Sequence, residues 1–130
     1  MAVLDSDILI NFLRKDTKAI RLMTRLRSEN KSISITSINS FELLKGIPGE
    51  SKMDKSKVIE FLMNFTIKSF DFESSSKAAE IYEDLKSRGK MIDLADIMIA
   101  SIVMVNNETF ITGNSSHFER INGLKIEKLV

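Results

Sequence analysis

Cysteine is absent from this chain of 130 residues, and histidine occurs only once, at His117. The lack of cysteine excludes disulfide bonds, thiolate nucleophiles and cysteine-ligated zinc. A single histidine excludes a multi-histidine metal centre. Any bound metal must therefore take oxygen ligands, which favours Mg²⁺, Mn²⁺ or Ca²⁺.

Long hydrophobic runs are missing as well. No segment approaches the roughly 18–20 apolar residues that a membrane-spanning helix requires. The N-terminus lacks a basic leader followed by an apolar stretch and a cleavage site, so we expect a cytoplasmic protein with no membrane association. The length and the 43% of hydrophobic residues predict a single domain over residues 1–130, with a core that needs no disulfide support.

The formal net charge is only +1, but basic residues are concentrated in one segment. Residues 14–27 contain a single acid, Asp16, and these basic residues: Arg14, Lys15, Lys18, Arg21, Arg25 and Arg27. Such a face is typical of a surface that contacts nucleic-acid phosphates. The alternative is an ordinary solvated helix face.

Short apolar strands alternate with helices along the chain. The patterns predict strands at Ala2–Leu4, Ser32–Ile35, Ile67–Phe72, Thr109–Thr112 and Lys125–Leu129. They predict helices at Ile8–Leu13, Lys18–Glu29, from a cap at Ser37 or Asn39 to Gly46 and Pro48, Lys57–Phe65, Lys77–Arg88 after a capping cluster at Ser74–Ser76, and Asp93–Val105. This alternation predicts a three-layer α/β/α sandwich with a central parallel sheet.

Acidic residues within apolar segments carry the strongest functional signal. Asp5 ends the first strand, Glu42 lies in an apolar helix, and Asp93 and Asp96 share one face of the most apolar helix. Such acids are costly unless they are paired, hydrogen-bonded or bound to a cation. Ligands of parallel α/β sheets bind at the carboxyl ends of the strands. The sequence therefore predicts one metal site assembled from distant segments.

Simpler interpretations exist for several of these polar residues. Three of them are candidate helix N-caps: Ser6, Asp7 and Asp93. Glu42 is compatible with the exposed face of an amphipathic helix, and His117 in a polar loop with a surface or capping role. Asp5 and Asp96 are harder to explain in this way, because one ends a buried strand and the other lies one turn inside an apolar helix.

Four segments spread over the chain carry a family resemblance. They are Leu4-Asp5-Ser6-Asp7-Ile8-Leu9-Ile10, the Glu42 segment ending in Leu44-Lys45-Gly46, Asp96-Ile97-Met98-Ile99-Ala100, and Phe110-Ile111-Thr112-Gly113-Asn114 with His117-Phe118. In this order and spacing the chain resembles the PIN-domain nucleases, and most closely the VapC-type toxins of prokaryotic toxin–antitoxin pairs. The resemblance implies a PIN-like fold and a Mg²⁺- or Mn²⁺-dependent endoribonuclease. It also implies a small antitoxin that covers the acidic site, and a homodimer.

The resemblance assigns roles to individual residues. It implies Asp5, Glu42 and Asp96 as catalytic metal ligands, with Asp93 assisting them. Residues that would orient ligands or water are Ser6, Asp7, Thr112 and Asn114, and Asn114 stands where many relatives carry a fourth acid. Candidate contacts to RNA are Arg14, Arg21 and Arg25.

Two other functions remain open from the sequence. The missing fourth acid is compatible with a PIN-like binding or regulatory module that has weak or no catalysis. Asp5-Ser6-Asp7 after a first strand also resembles the nucleophile loop of haloacid-dehalogenase-type phosphatases. The chain lacks the downstream lysine context and the cap insertion of those phosphatases.

Overall fold

The structure, a computed structural model, describes residues 1–46 and 54–129. The predicted helix end at Pro48 and most of the polar break after it fall outside these residues. Within the described ranges the chain forms five strands and seven helices. In chain order they are β1 (Ala2–Leu4), α1 (Ser6–Leu13), α2 (Thr17–Ser28), β2 (Ile33–Thr36), α3 (Ser37–Lys45), α4 (Lys55–Leu62), β3 (Thr66–Lys68), α5 (Phe72–Ser87), α6 (Leu94–Val105), β4 (Thr109–Thr112), α7 (Ser115–Phe118) and β5 (Ile126–Lys128).

The five strands form one parallel sheet in the order β3-β2-β1-β4-β5. The chain therefore leaves β1 on the β2 side and returns on the opposite side with β4. This reversal creates a topological switch point at the carboxyl ends of β1 and β4, the usual position of a ligand site in such sheets. The predicted α/β/α sandwich with a central parallel sheet is confirmed.

Helices cover both faces of the sheet because successive strand side chains point to opposite sides. Leu4 packs in a cluster with buried residues of α1, α2, α3 and α4. Val3 and Phe110 pack in a second cluster with α5, α6 and α7. In the described parts of the chain, no helix has the length and apolar character needed to cross a membrane.

Local sequence explains the position of α2, the helix that carries most of the basic segment. Leu22, Met23 and Leu26 recur at helical spacing and are buried against the sheet. Asp16 caps the helix, since its Oδ2 accepts a hydrogen bond from the Ala19 N–H at 3.2 Å. The basic residues are consequently turned toward solvent.

Several predicted element boundaries are wrong. Thr36, rather than Ser37 or Asn39, caps α3, because its Oγ1 accepts from the Asn39 N–H at 3.1 Å. Asp71 caps α5 through the Ser74 N–H at 2.8 Å, so the predicted capping cluster at Ser74–Ser76 lies inside that helix. The third predicted strand ends at Lys68, and Phe72 starts α5 with its side chain 88% exposed.

Candidate active site

Asp5 joins the end of β1 to the start of α1 and lies at the switch point of the sheet. It is the N-cap of α1, and its Oδ1 accepts from the Ser6 N–H at 2.7 Å. Its Oδ2 accepts from the Thr112 hydroxyl, at the end of β4, also at 2.7 Å. The predicted cap at Ser6 or Asp7 is therefore wrong, since the helix begins immediately after the strand. One carboxylate thus connects the two central strands.

Burial makes the Asp5 carboxylate difficult to ionise. Asp5 is only 7% exposed to solvent. Loss of hydration raises the pKa of Asp5 from 3.8 to about 7, the Thr112 hydrogen bond opposes the rise, and the negative charges of Asp7 and Asp96 add to it. A cation beside Asp5 would relieve both the desolvation and the repulsion.

Glu42 reaches the same site from α3 and is half-buried rather than on a fully exposed face. Its Oε1 accepts from the Ser6 hydroxyl at 2.7 Å. The Ser6 oxygen accepts in turn from Asn39 Nδ2 at 2.8 Å. The first turn of α1 therefore holds the second predicted acid as well as the first.

Asp96 lies in the first turn of α6 and faces the other acids. Burial raises the pKa of Asp96, the charges of Glu42 and Asp93 raise it further, and His117 opposes the rise. The Nδ1 of His117 lies 3.7 Å from Asp96 Oδ2. His117 is therefore placed beside the acidic site rather than on a remote surface. Asp93 occupies the N-cap position of α6 without a side-chain capping hydrogen bond, and it is exposed.

The turn after β4 supplies the remaining polar groups. The Asn114 N–H donates to Thr112 Oγ1 at 2.9 Å, and the Asn114 side-chain nitrogen lies 3.4 Å from the Nδ1 of His117. Asp7 Oδ2 accepts from the Gly113 N–H at 3.0 Å, and a Cβ on Gly113 would lie only 2.7 Å from that oxygen. A larger residue at position 113 would therefore require the Asp7 carboxylate to shift. Burial raises the pKa of Asp7, and its backbone hydrogen bonds oppose the rise.

These contacts bring together most of the site residues that the sequence predicted. The set that shares hydrogen bonds or charge interactions around Asp5 is Ser6, Asp7, Glu42, Asp93, Asp96, Thr112 and Asn114. The three predicted arginines do not join it. Arg21 and Arg25 line a groove between α2 and β5, and Arg14 is exposed at the end of α1.

Asn39 is the site residue that sequence reasoning missed. The sequence pattern predicts it only as a helix cap, yet its side chain is fully buried and contacts Ser6. The available signal is its spacing, since a polar residue three positions before Glu42 shares the same helix face.

The donor chemistry of the site fits a hard divalent cation. Over residues 1–46 and 54–129, no three histidine, aspartate or glutamate side chains converge closely enough to form a complete ligand set. The charge of Asp96 nevertheless raises the pKa of Asp5, and the charge of Glu42 raises the pKa of Asp96. Carboxylates that repel one another across a partly buried crevice favour cation capture, and oxygen ligands suit Mg²⁺ or Mn²⁺.

Comparison with known proteins agrees with this site. The PIN domain family matches residues 2–124. Ribonuclease VapC1 of Methanocaldococcus jannaschii is 32% identical over 126 residues, which cover 95% of this chain and 85% of that protein. Ribonuclease VapC2 of Rickettsia felis is 29% identical over 127 residues, covering 96% and 95%. A crystal structure of VapBC2 from Rickettsia felis, bound to a DNA fragment from its promoter, superposes with a TM-score of 0.87 at 26% identity, covering 98% of this chain and 97% of that one. This chain therefore belongs to the PIN domain family, and within it to the VapC ribonucleases.

Proposed function

We propose that the protein is a Mg²⁺- or Mn²⁺-dependent endoribonuclease that acts in the cytoplasm as the toxin of a VapBC-type toxin–antitoxin pair. The observation that carries this proposal is the buried Asp5 carboxylate, whose pKa rises to about 7 beside Asp7 and Asp96 at the switch point of the sheet. An acid whose pKa is raised this far by burial, next to two further carboxylates, is typical of a functional site.

Asp5, Glu42 and Asp96 would hold the ion, directly or through water, and Asp93 would add negative charge at the rim. A divalent ion in such a site lowers the pKa of a bound water and neutralises charge on the scissile phosphate. Asn114 contributes an amide oxygen without charge where a fourth acid would stand, which favours a single tightly held ion.

The remaining polar residues position these ligands. The Thr112 hydroxyl donates to Asp5 and favours its ionised form, and the Ser6 hydroxyl donates to Glu42 and fixes the direction of that side chain. Asp7, at the start of α1, accepts a hydrogen bond from the Gly113 N–H in the turn after β4 and so connects the two segments. These contacts fix the crevice in which an attacking water would be oriented.

Cleavage of total cellular RNA by the purified chain tests the proposal. We expect discrete fragments in Mg²⁺ or Mn²⁺ and none in EDTA. Measurable metal binding without cleavage of RNA would favour the alternative, a PIN-like binding module. Absence of both metal binding and cleavage would contradict the proposal.

A basic groove lies between α2 and β5 and offers a path for the RNA backbone. We define it by its lining residues, which are Lys18, Arg21, Leu22, Arg25, Glu127, Lys128 and Leu129. Arg25 is held by ion pairs with Glu29 and Glu127, and Lys128 pairs with Glu119. Over the described residues Lys18 and Arg21 enter no ion pair, so they are available to phosphates.

Sheet register relates this groove to the acids. Lys128 of β5 is the register partner of Thr112 of β4, and Thr112 donates to Asp5 at the end of β1. Neighbouring strands lie about 4.8 Å apart, so Lys128 is roughly 10 Å from Asp5 across two strand spacings. RNA cut at the acids would therefore extend into the basic groove within a few nucleotides.

The double variant Lys18→Ala/Arg21→Ala is expected to weaken RNA binding at low salt. Loss of two phosphate contacts should reduce the slope of log affinity against log salt by about 1.4 for single-stranded RNA. Fluorescence anisotropy with a labelled RNA measures this, in a cleavage-deficient Asp5→Asn background. Lys86→Ala/Lys90→Ala removes the same charge from the region of α5, on the other face of the sheet. Equal salt slopes in the two double variants would refute the role of the groove.

Apolar residues of segments 8–13 and 57–65 are candidate contacts for the antitoxin or for a second copy of the chain. Ile8 and Leu9 are fully buried and unavailable for such a contact. On and beside α4, Ile59 and Met63 are 44% and 73% exposed. We propose that this end of α4 contributes to contact with the antitoxin or with a second copy in a homodimer.

A further inference from the structure

The side chain of Asn39 has a fixed orientation in the first turn of α3. It is fully buried, and its Oδ1 accepts from both the Thr36 N–H at 3.0 Å and the Thr36 hydroxyl at 2.7 Å. Two donors on one atom identify that atom as the amide oxygen, because the amide nitrogen can only donate. The opposite end of the amide is therefore the NH₂ group.

This orientation dictates the direction of the next two hydrogen bonds. Asn39 Nδ2 donates to Ser6 Oγ at 2.8 Å, so the serine oxygen is the acceptor. The single hydroxyl hydrogen of Ser6 is then left for Glu42 Oε1, at 2.7 Å. Three consecutive hydrogen bonds thus run from Thr36 through Asn39 and Ser6 to Glu42, and each residue donates to the next. We call this chain of hydrogen bonds the relay.

We infer that Asn39 is a positioning residue, which acts through the Ser6 hydroxyl to hold the Glu42 carboxylate in the orientation that a divalent cation requires. The inference rests on the proposed function, because it assigns Glu42 to metal binding. Without the Asn39 donor, the Ser6 hydroxyl can rotate away from Glu42. A hydrogen bond to a charged group is about twice as strong as one between neutral groups. The orientation of the Ser6 hydroxyl therefore strongly affects how firmly the Glu42 carboxylate is held.

The variant Asn39→Asp reverses the direction of the hydrogen bond between residue 39 and Ser6, with little change in side-chain volume. The introduced carboxylate still accepts both Thr36 hydrogen bonds, so the cap of α3 is retained. Its other oxygen accepts the Ser6 hydrogen and withdraws it from Glu42. We expect Mn²⁺ affinity, measured by isothermal titration calorimetry, to fall about 10–100-fold, as is typical when the partner of a metal ligand is lost. Asn122→Asp adds the same charge at an exposed position and should leave the affinity unchanged.

A double-mutant cycle separates positioning from general structure. Ser6→Ala removes the last bond of the relay without altering α3, and should weaken Mn²⁺ binding to a similar extent. Combined with Asn39→Asp it should cause no further loss, because both changes break one path. Full additivity, or wild-type affinity in either single variant, would overturn the inference. Should Asn39→Asp fail to fold by circular dichroism, Ser6→Ala still tests the inference, because wild-type Mn²⁺ affinity in that variant would overturn it.

The same titration tests the proposed function separately from the role of Asn39. Absence of Mn²⁺ binding to the wild-type chain would overturn the proposed function and the role of Asn39 with it. Mn²⁺ binding that Asn39→Asp and Ser6→Ala leave unaltered would overturn only the role of Asn39.

Discussion

Asp5→Asn is expected to abolish metal-dependent RNA cleavage, lowering its rate by roughly a thousandfold or more. The amide removes the charge that would bind the ion. It still accepts the Ser6 N–H and can donate to Thr112 Oγ1, so both contacts of the native carboxylate keep a partner. The chemistry should therefore be lost while the fold survives.

The comparison needs a control that loses the same charge at the same kind of position. Asp54 also caps a helix, α4, through the N–H of Ser56 at 3.0 Å, and it is exposed. Asp54→Asn should cleave RNA at the wild-type rate, since asparagine caps helices as well as aspartate does. Fragment yield in Mg²⁺ and in Mn²⁺ and far-UV circular dichroism are measured for all three proteins. Cleavage by Asp5→Asn at the rate of Asp54→Asn would remove Asp5 from the site.

Asp96→Asn offers an independent test of the same site from α6. Its pKa is raised first by burial and then by Glu42 and Asp93, and its charge in turn raises the pKa of Asp5, so the two acids belong to one cluster. Loss of cleavage in both variants would show that residues 91 positions apart in the sequence serve one centre.

Much of this arrangement could be predicted because its signals are local. Alternation of short apolar strands with helices fixes a parallel sheet, and a strand that ends in an acid places that acid at the ligand-binding edge. Asp5 and Asp96 were identifiable because a carboxylate in an apolar segment requires compensation. The element ends were less predictable, since Thr36 and Asp71 lie among several residues that can cap a helix equally well.

The contacts between segments could not be predicted. Asn39 reaches Ser6 only because α1 and α3 pack side by side behind neighbouring strands, and no pattern in either segment reports that packing. The same holds for His117, which approaches Asp96 only after α7 has folded against the sheet. Charge alone did not distinguish Arg14 from Arg21 and Arg25. Arg21 and Arg25 line the groove beside β5, and Arg14 does not.

The metal-free protein is expected to lose stability as the pH rises from 5 to 8. The pKa of Asp5 is about 7 in the folded chain against 3.8 in the unfolded one. Between these values the folded state binds more protons than the unfolded state, so the free energy of unfolding falls with increasing pH. The fall amounts to roughly 2–3 kcal/mol over this range. The raised pKa values of Asp7 and Asp96 act in the same direction.

Other acids titrate outside this window with the opposite sign. Hydrogen bonds or ion pairs lower the pKa values of Glu29, Asp54 and Asp71, so their contribution to stability is lost only below about pH 4. Stability should therefore rise from strongly acidic pH, reach a maximum near pH 4, and decline toward pH 8. Urea unfolding in EDTA at a series of pH values measures this profile.

Asp5→Asn and added metal should each flatten the decline, for different reasons. The variant cannot ionise at position 5, so in EDTA its stability should exceed that of the wild type by more at pH 8 than at pH 5, and the two should differ little below about pH 4. Saturating Mg²⁺ should stabilise the wild type most at pH 8, because the cation binds the ionised carboxylates and stabilises only the folded state. It should stabilise Asp5→Asn far less. A wild-type stability that is flat from pH 5 to 8 in EDTA would mean that the Asp5 carboxylate is solvated like an ordinary surface acid, and the physical argument for a cation beside it would fail.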